Sequence, residues 1–255
     1  MPRSLRVALP LPVVLLAVAA PAAHAAAGWP LAVAQPHGAT LRTAAVGGAP
    51  SAATGFADAQ GWHGATAVAS AGRGTATLAV AGSDRRLRVV AGAPRGGVAA
   101  IRVTVTGTGP AATRVGLGFA APRGERYFGF GERANALDQR GHDVEDDVAD
   151  GPFSPESRDV VQATIPPAGF RDREDATYYP VPWLLSGRGY GVLVDDDERS
   201  VFALPEDGGT WGVQVDAPSL RLRVFAGPTP AAALGRFTRA TGRQPKPSST
   251  FSFGP

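Results

Sequence analysis

Carboxylates are the side chains here best suited to chemistry, and they are crowded: eleven of the chain's 22 acidic residues lie between positions 138 and 175. Pairs of carboxyl groups can serve as general acid and base when their environments separate their pKa values. Asp143-Val144-Glu145-Asp146-Asp147 also alternates hard oxygen ligands. It lacks the turn glycine and the terminal glutamate of an EF-hand, so a solvated acidic loop is the simpler reading. The histidines, His24, His37, His63 and His142, have no metal-ligand spacing among themselves, and without cysteine there is neither a thiolate site nor a disulfide framework. Gly129-Phe130-Gly131-Glu132-Arg133-Ala134 fails as a dinucleotide turn because the third glycine and the following helix pattern are missing. The single lysine, Lys246, belongs to no phosphate loop. No cofactor and no metal are therefore expected, and Glu132 beside Arg133 reads as an internal ion pair rather than a catalyst.

The elements that must position these groups are strands. Ile101, Val103 and Val105 alternate with Arg102, Thr104 and Thr106, the period of a half-buried antiparallel strand. Similar alternation occupies 114–119, 211–216 and 220–225, while 190–194 and 200–204 are more continuously apolar, as strands covered on both sides are. Many such segments punctuated by Gly, Pro and Asp predict an all-β antiparallel sandwich. Residues 138–175 interrupt this pattern as a long irregular excursion, in which only 159–165 reads as a strand. Near the end, Thr229 suits an N-cap, Pro230 the first helical position and Gly242 the position after the last turn. That predicts one short helix over 229–241, with Leu234 and Phe237 on its packing side. Pro245 and Pro247 then read as a linker, and Phe251-Ser252-Phe253 as the start of another strand.

Composition narrows the class. At 255 residues with 44% hydrophobic content the chain can bury a sizeable core. Its net charge of +3 comes almost wholly from arginines scattered along strand faces, as in Arg86-Leu87-Arg88 and Arg221-Leu222-Arg223. A nucleic-acid surface would cluster them among stacking aromatics, so that partner is excluded. Residues 1–25 read as a secretory signal: basic Arg3 and Arg6, an apolar stretch over 7–20, and the small-x-small site Ala23-His24-Ala25, with cleavage expected after Ala25. The apolar stretch is shorter than the roughly 20 residues of a spanning helix and contains Pro10 and Pro12. The mature protein is thus expected to be secreted, with no membrane partner after cleavage.

One set of residues carries a family resemblance. Tyr127-Phe128-Gly129-Phe130-Gly131-Glu132-Arg133, followed by Leu137-Asp138-Gln139-Arg140-Gly141, resembles the Gly-Glu-Arg signature of the N-terminal domain of glycoside hydrolase family 31, the α-glucosidases and α-xylosidases. Pro180-Val181-Pro182-Trp183-Leu184-Leu185-Ser186, Arg188-Gly189-Tyr190-Gly191-Val192-Leu193-Val194, Gly227-Pro228-Thr229-Pro230 and Thr241-Gly242-Arg243 continue it in order. The resemblance implies a galactose mutarotase-like β-sandwich over 26–226, including the excursion 138–175, with 227–255 as helix and linker to a catalytic (β/α)8 barrel. In the family, the excursion reaches the rim of the barrel's active site, where an aspartate hydrogen-bonds the sugar. Asp150, followed by Gly151, matches that aspartate, although Val148 and Ala149 replace the preceding Asn and Arg.

A retaining glycosidase needs two carboxyl groups about 5 to 5.5 Å apart. In this family they lie on the barrel, and its Trp-x-Asp-Met nucleophile pattern does not occur in these 255 residues. The chain by itself is therefore expected to be inactive, a carbohydrate-binding or structural N-terminal domain whose partners are an α-linked oligosaccharide or glycoside and the barrel of a parent enzyme. Two alternatives remain open: a free-standing carbohydrate-binding or mutarotase-like module, for which His142 near Glu132 and Glu145 is the only source of an acid and base, and a secreted structural β-sandwich.

Overall fold

A computed structural model describes residues 31–33, 40–164 and 172–243. The signal expected over 1–25 and the strand start expected at Phe251 to Phe253 lie outside the described residues. In chain order the strands are β1 (Ala32–Val33), β2 (Leu41–Arg42), β3 (Ala45–Val46), β4 (Ala49–Pro50), β5 (Gly55–Asp58), β6 (Gly61–Gly72), β7 (Thr75–Val80), β8 (Ser83–Ala91) and β9 (Val98–Thr106). They continue as β10 (Arg114–Ala121), β11 (Tyr127–Gly131), β12 (Asp143–Asp146), β13 (Pro180–Ser186), β14 (Tyr190–Val194), β15 (Ser200–Ala203), β16 (Gly209–Val215) and β17 (Ser219–Ala226). Helix α1 is Pro155–Thr164 and helix α2 is Pro230–Thr241.

Thirteen strands form one hydrogen-bonded series, in the order β11-β13-β14-β17-β9-β8-β7-β6-β5-β10-β16-β15-β12, every pairing antiparallel. The long β6 is the corner: its first residues pair with β5 and the remainder with β7. The series folds over there, so that β10 packs across β9 and β17, and β16 across β17. This is the expected all-β antiparallel sandwich.

Period-2 patterning decides which residues fill the space between layers. Ile101 and Val103 of β9, Val115, Leu117 and Phe119 of β10, and Leu220, Leu222 and Val224 of β17 are all at most 3% exposed. Phe119 stacks on Trp211 at 4.3 Å between ring centroids, and Phe130 meets Phe202 edge-on at 5.1 Å. The fully covered β14 is buried at every position, as its continuous apolar sequence requires.

Helix α2 forms where its caps predict: the Thr229 side chain accepts from the Ala232 amide, Pro230 opens the first turn, and Gly242 follows the last. It packs on the outer surface of β13, β14 and β17. The packing face is Ala233 and Phe237, with Phe237 stacked on Trp183 at 4.2 Å and edge-on to Phe225. Leu234 is 41% exposed, a correction to the expected face. Ala233 and Phe237 are spaced i, i+4 and lie one above the other, which turns Leu234 off that line.

Candidate functional site

The Gly-Glu-Arg turn is built on an uncommon backbone. Gly129, Phe130 and Gly131 have φ of 104°, 68° and 80°, and Phe130 is the non-glycine residue with positive φ among the described residues. A Cβ at Gly131 would sit 1.9 Å from the Tyr179 carbonyl oxygen, and one at Gly129 would sit 2.3 Å from that of Trp183. Both positions therefore require glycine for space as well as for φ. The bulge shifts the β11–β13 register and drives Phe130 fully into the core. The two glycines thus make a sharp turn, and its consequence is to aim Arg133 inward.

Arg133 is the hub of the acidic excursion. Its side chain is 2% exposed; Nη2 donates to Asp146 Oδ1 at 2.8 Å, and Nη1 lies 3.4 Å from Asp175 Oδ2. Nε donates to the Phe130 carbonyl at 2.9 Å and Nη1 to the Glu145 carbonyl at 3.1 Å and to that of Asp175. Glu132 is exposed and is not its partner. Successive residues of an extended chain point opposite ways, so the expected Glu132–Arg133 pair does not form. Asp175 Oδ2 also accepts from the Glu145 amide at 2.7 Å, which ties the two ends of the excursion together.

From this hub the charges alternate outward. Glu145 is held by Arg173 at 2.5 Å and by Arg199 at 2.7 Å, and Arg199 continues to Asp216 at 2.9 Å, which Arg114 also holds. The Glu145 hydrogen bond raises the Arg199 guanidinium further above its ordinary range. Burial acts oppositely on the hub, lowering Arg133 and pushing the Asp146 carboxyl up to about 8 against the pull of that arginine.

Two findings correct the reading of the excursion as irregular with a strand at 159–165. Residues Asp143–Asp146 form β12, paired with β15. Residues Pro155–Thr164 form α1, begun by Ser154, whose Oγ accepts from the Ser157 amide at 3.3 Å, with Pro155 at its first position. Ser154-Pro155 is the same cap chemistry as Thr229-Pro230, a signal present in the sequence and outweighed by the β-branched Val160 and Val161.

Asp150 lies between β12 and α1, exposed to solvent. Its Oδ1 accepts a 2.6 Å hydrogen bond from Tyr178 Oη, and this carboxylate raises the Tyr178 phenol above its ordinary pKa. Tyr178 is 60% exposed, so its ring flanks the aspartate at the surface. His142 lines a cleft with acidic residues other than the two considered for it. The cleft of about 350 Å³ beside it is lined by Asp143, Glu174 and Asp175, and by neither Glu132 nor Glu145.

Two other buried polar groups lie away from the excursion. Glu125, 4% exposed, accepts from Ser186 Oγ at 2.5 Å and Tyr190 Oη at 2.6 Å, and Trp211 Nε1 donates to Tyr190 Oη at 3.2 Å. His63 faces acceptors on both sides, Asp58 Oδ1 at 3.0 Å and the Ala81 carbonyl at 3.0 Å, which raises its pKa. Asp58 is held down by the Gln60 amide and His63. Among the described residues no group of three or more His, Asp or Glu side chains is arranged to hold a metal ion, and no helix is long and apolar enough to cross a membrane.

The fold and the Gly-Glu-Arg bulge define a galactose mutarotase-like sandwich. Residues 70–202 match the glycosyl hydrolase 31 N-terminal galactose mutarotase-like domain, and the chain belongs to that family. Similar curated proteins include alpha-xylosidase XylQ of Lactiplantibacillus pentosus, 29% identical over 131 residues, covering 51% of this chain and 15% of the relative. Alpha-glucosidase 2 of Bacillus thermoamyloliquefaciens is 26% identical over 129 residues, 48% of this chain and 14% of the relative. The isomaltosyltransferase of Sporosarcina globispora is 30% identical over 86 residues, 34% of this chain and 6% of the relative. The chain thus spans 6% to 15% of the length of these relatives. Among solved structures, a family 31 sulfoquinovosidase from E. rectale aligns over 72% of this chain and 27% of its own, with a TM-score of 0.51 at 19% identity, a likeness of fold.

Proposed function

We propose that this chain is the N-terminal domain of a secreted family 31 enzyme acting on α-glycosidic bonds, and that its acidic excursion carries Asp150 to the rim of the active site formed with a catalytic barrel. The family match and relatives named as an α-glucosidase and an α-xylosidase support the reaction class. The observation that carries the rim role is the geometry of Asp150: Tyr178 holds one carboxylate oxygen, and Oδ2 makes no hydrogen bond among the described residues. An exposed carboxylate fixed at one oxygen and open at the other is suited to accept from a sugar hydroxyl. Arg133 acts at a distance, fixing both ends of the excursion so that Asp150 is presented from a tethered segment. Export follows from the signal-like residues 1–25, and intact mass of the secreted protein beginning at Ala26 is its check.

The test is a chimaera in which this chain replaces the N-terminal domain of a family 31 enzyme, assayed on aryl α-glucosides and α-xylosides. The expected result is activity, with Asp150→Asn raising KM by about tenfold, the loss of one hydrogen bond to a charged group. An active chimaera whose kinetics ignore Asp150→Asn would remove the rim role and leave the domain structural.

A further inference from the structure

The inward face of the β12–β15 ladder ends in polar residues. Val144 opposite Phe202 is fully buried, and the next inward pair, Asp146 opposite Ser200, closes the ladder. Such partners stand on one face of a sheet, about 5 Å apart at Cβ. Ser200 is 1% exposed and Asp146 9%, and each keeps a buried oxygen, Ser200 Oγ and Asp146 Oδ2, with no hydrogen-bond partner among the described residues. Both residues line a cleft of about 370 Å³. Buried oxygens are costly unless something donates to them.

The rest of the cleft specifies the donor. Asp147 and Asp197 line it without an ion pair among the described residues, whereas the one arginine of its wall, Arg199, is committed to Glu145 and Asp216. The field inside is therefore negative, and its own cation is already taken. Val148 and Pro180 add an apolar wall. A metal ion is the poorer fit, because the described residues offer no set of three or more His, Asp or Glu ligands. A primary ammonium group brings three N–H donors and a compact charge, enough for the hydroxyl, the carboxylate oxygen and one rim carboxylate.

We propose that this cleft binds a primary ammonium group carried on a small organic ligand, an amino sugar or an aliphatic amine. Asp150 does not line this cleft, and the binding test involves neither it nor a barrel, so failure here and failure of the rim role are read independently.

The test is calorimetric titration of the whole chain with glucosamine, n-butylamine, glucose and calcium chloride, at a pH where the amines are protonated. Saturable binding of glucosamine, absent for glucose and calcium, is expected. Ser200→Ala should weaken it about tenfold and Asp197→Asn about threefold, the effects of one hydrogen bond to a charged group and one exposed charge. Both variants should melt with the wild type. Glucosamine without butylamine identifies an amino-sugar site; butylamine of equal affinity identifies an amine site with no preference for the ring. Glucose binding as tightly as glucosamine, calcium binding lost in Ser200→Ala, amine binding indifferent to both substitutions, or no amine binding would each overturn the proposal.

Discussion

The sandwich interior and the acidic excursion are held together by opposite means. Around Trp211 the layers meet through rings: Phe119 stacks on it at 4.3 Å and Phe202 at 6.3 Å, with no water-exposed surface on any of the larger side chains. Around Arg133 the same chain is organised by guanidinium and carboxylate groups, of which Arg133 and Asp146 are nearly as buried as the rings. Apolar burial is non-directional and tolerates small shifts, whereas a buried ion pair is stable only while its geometry and every partner are kept. The excursion is thus the part of this domain whose position can be lost without losing the fold.

The largest expected effect breaks the first region. Trp211→Ala removes a fully buried indole and its bond to Tyr190, and should lower stability by about 3–5 kcal/mol. Chemical denaturation should show this as one cooperative transition moved to lower denaturant. Next comes Arg133→Met, which leaves Asp146 buried without its ion-pair partner and Asp175 with Arg173 alone, at about 3 kcal/mol. Its signature should be local: limited proteolysis should cut within 147–175 while the β9 and β17 amides keep their protection from hydrogen exchange. Uniform loss of protection would show that the two regions are one cooperative unit.

The pH dependence of stability sharpens the contrast. His63 and Asp146 both have pKa values raised on folding, so each contributes stability that is complete below its unfolded value and lost as pH rises through the folded one. For Asp146 that window runs from the ordinary carboxylate range to about 8; for His63 it begins near 6.5. Asp58, lowered on folding, acts the other way and loses its contribution only as pH falls through its folded value. Thermal melts from mildly acidic to mildly alkaline pH should therefore show falling Tm. His63→Gln should flatten the part of that curve above about 6.5, and Asp146→Asn should remove the fall up to about 8 that Asp146 contributes, leaving the His63 part. Curves parallel to wild type would mean that neither group changes its protonation on folding.

The smallest effect lies at the rim. Asp150→Asn should leave Tm unchanged, as exposed substitutions generally do, yet shift the Tyr178 phenol back towards its ordinary range. Absorbance titration resolves this, because burial holds the Tyr127 and Tyr190 phenols well above the ordinary range, apart from the exposed Tyr178.

Sequence alone determined the strand class and the positions of β9, β10 and β14 to β17, since alternation such as Ile101 to Thr106 can be satisfied only by a half-buried sheet. It also determined α2, whose Thr229, Pro230 and Gly242 are local signals acting within one turn. Tertiary structure decided what depends on distant partners. The pairing of Arg133 with Asp146 and Asp175 rather than with adjacent Glu132, the strand β12 that exists because β15 accepts it, and the orphaned oxygens of Ser200 and Asp146 all required residues far apart in sequence to meet. Charge and hydrogen bonding are read from neighbours in space, and the sequence supplies only neighbours along the chain.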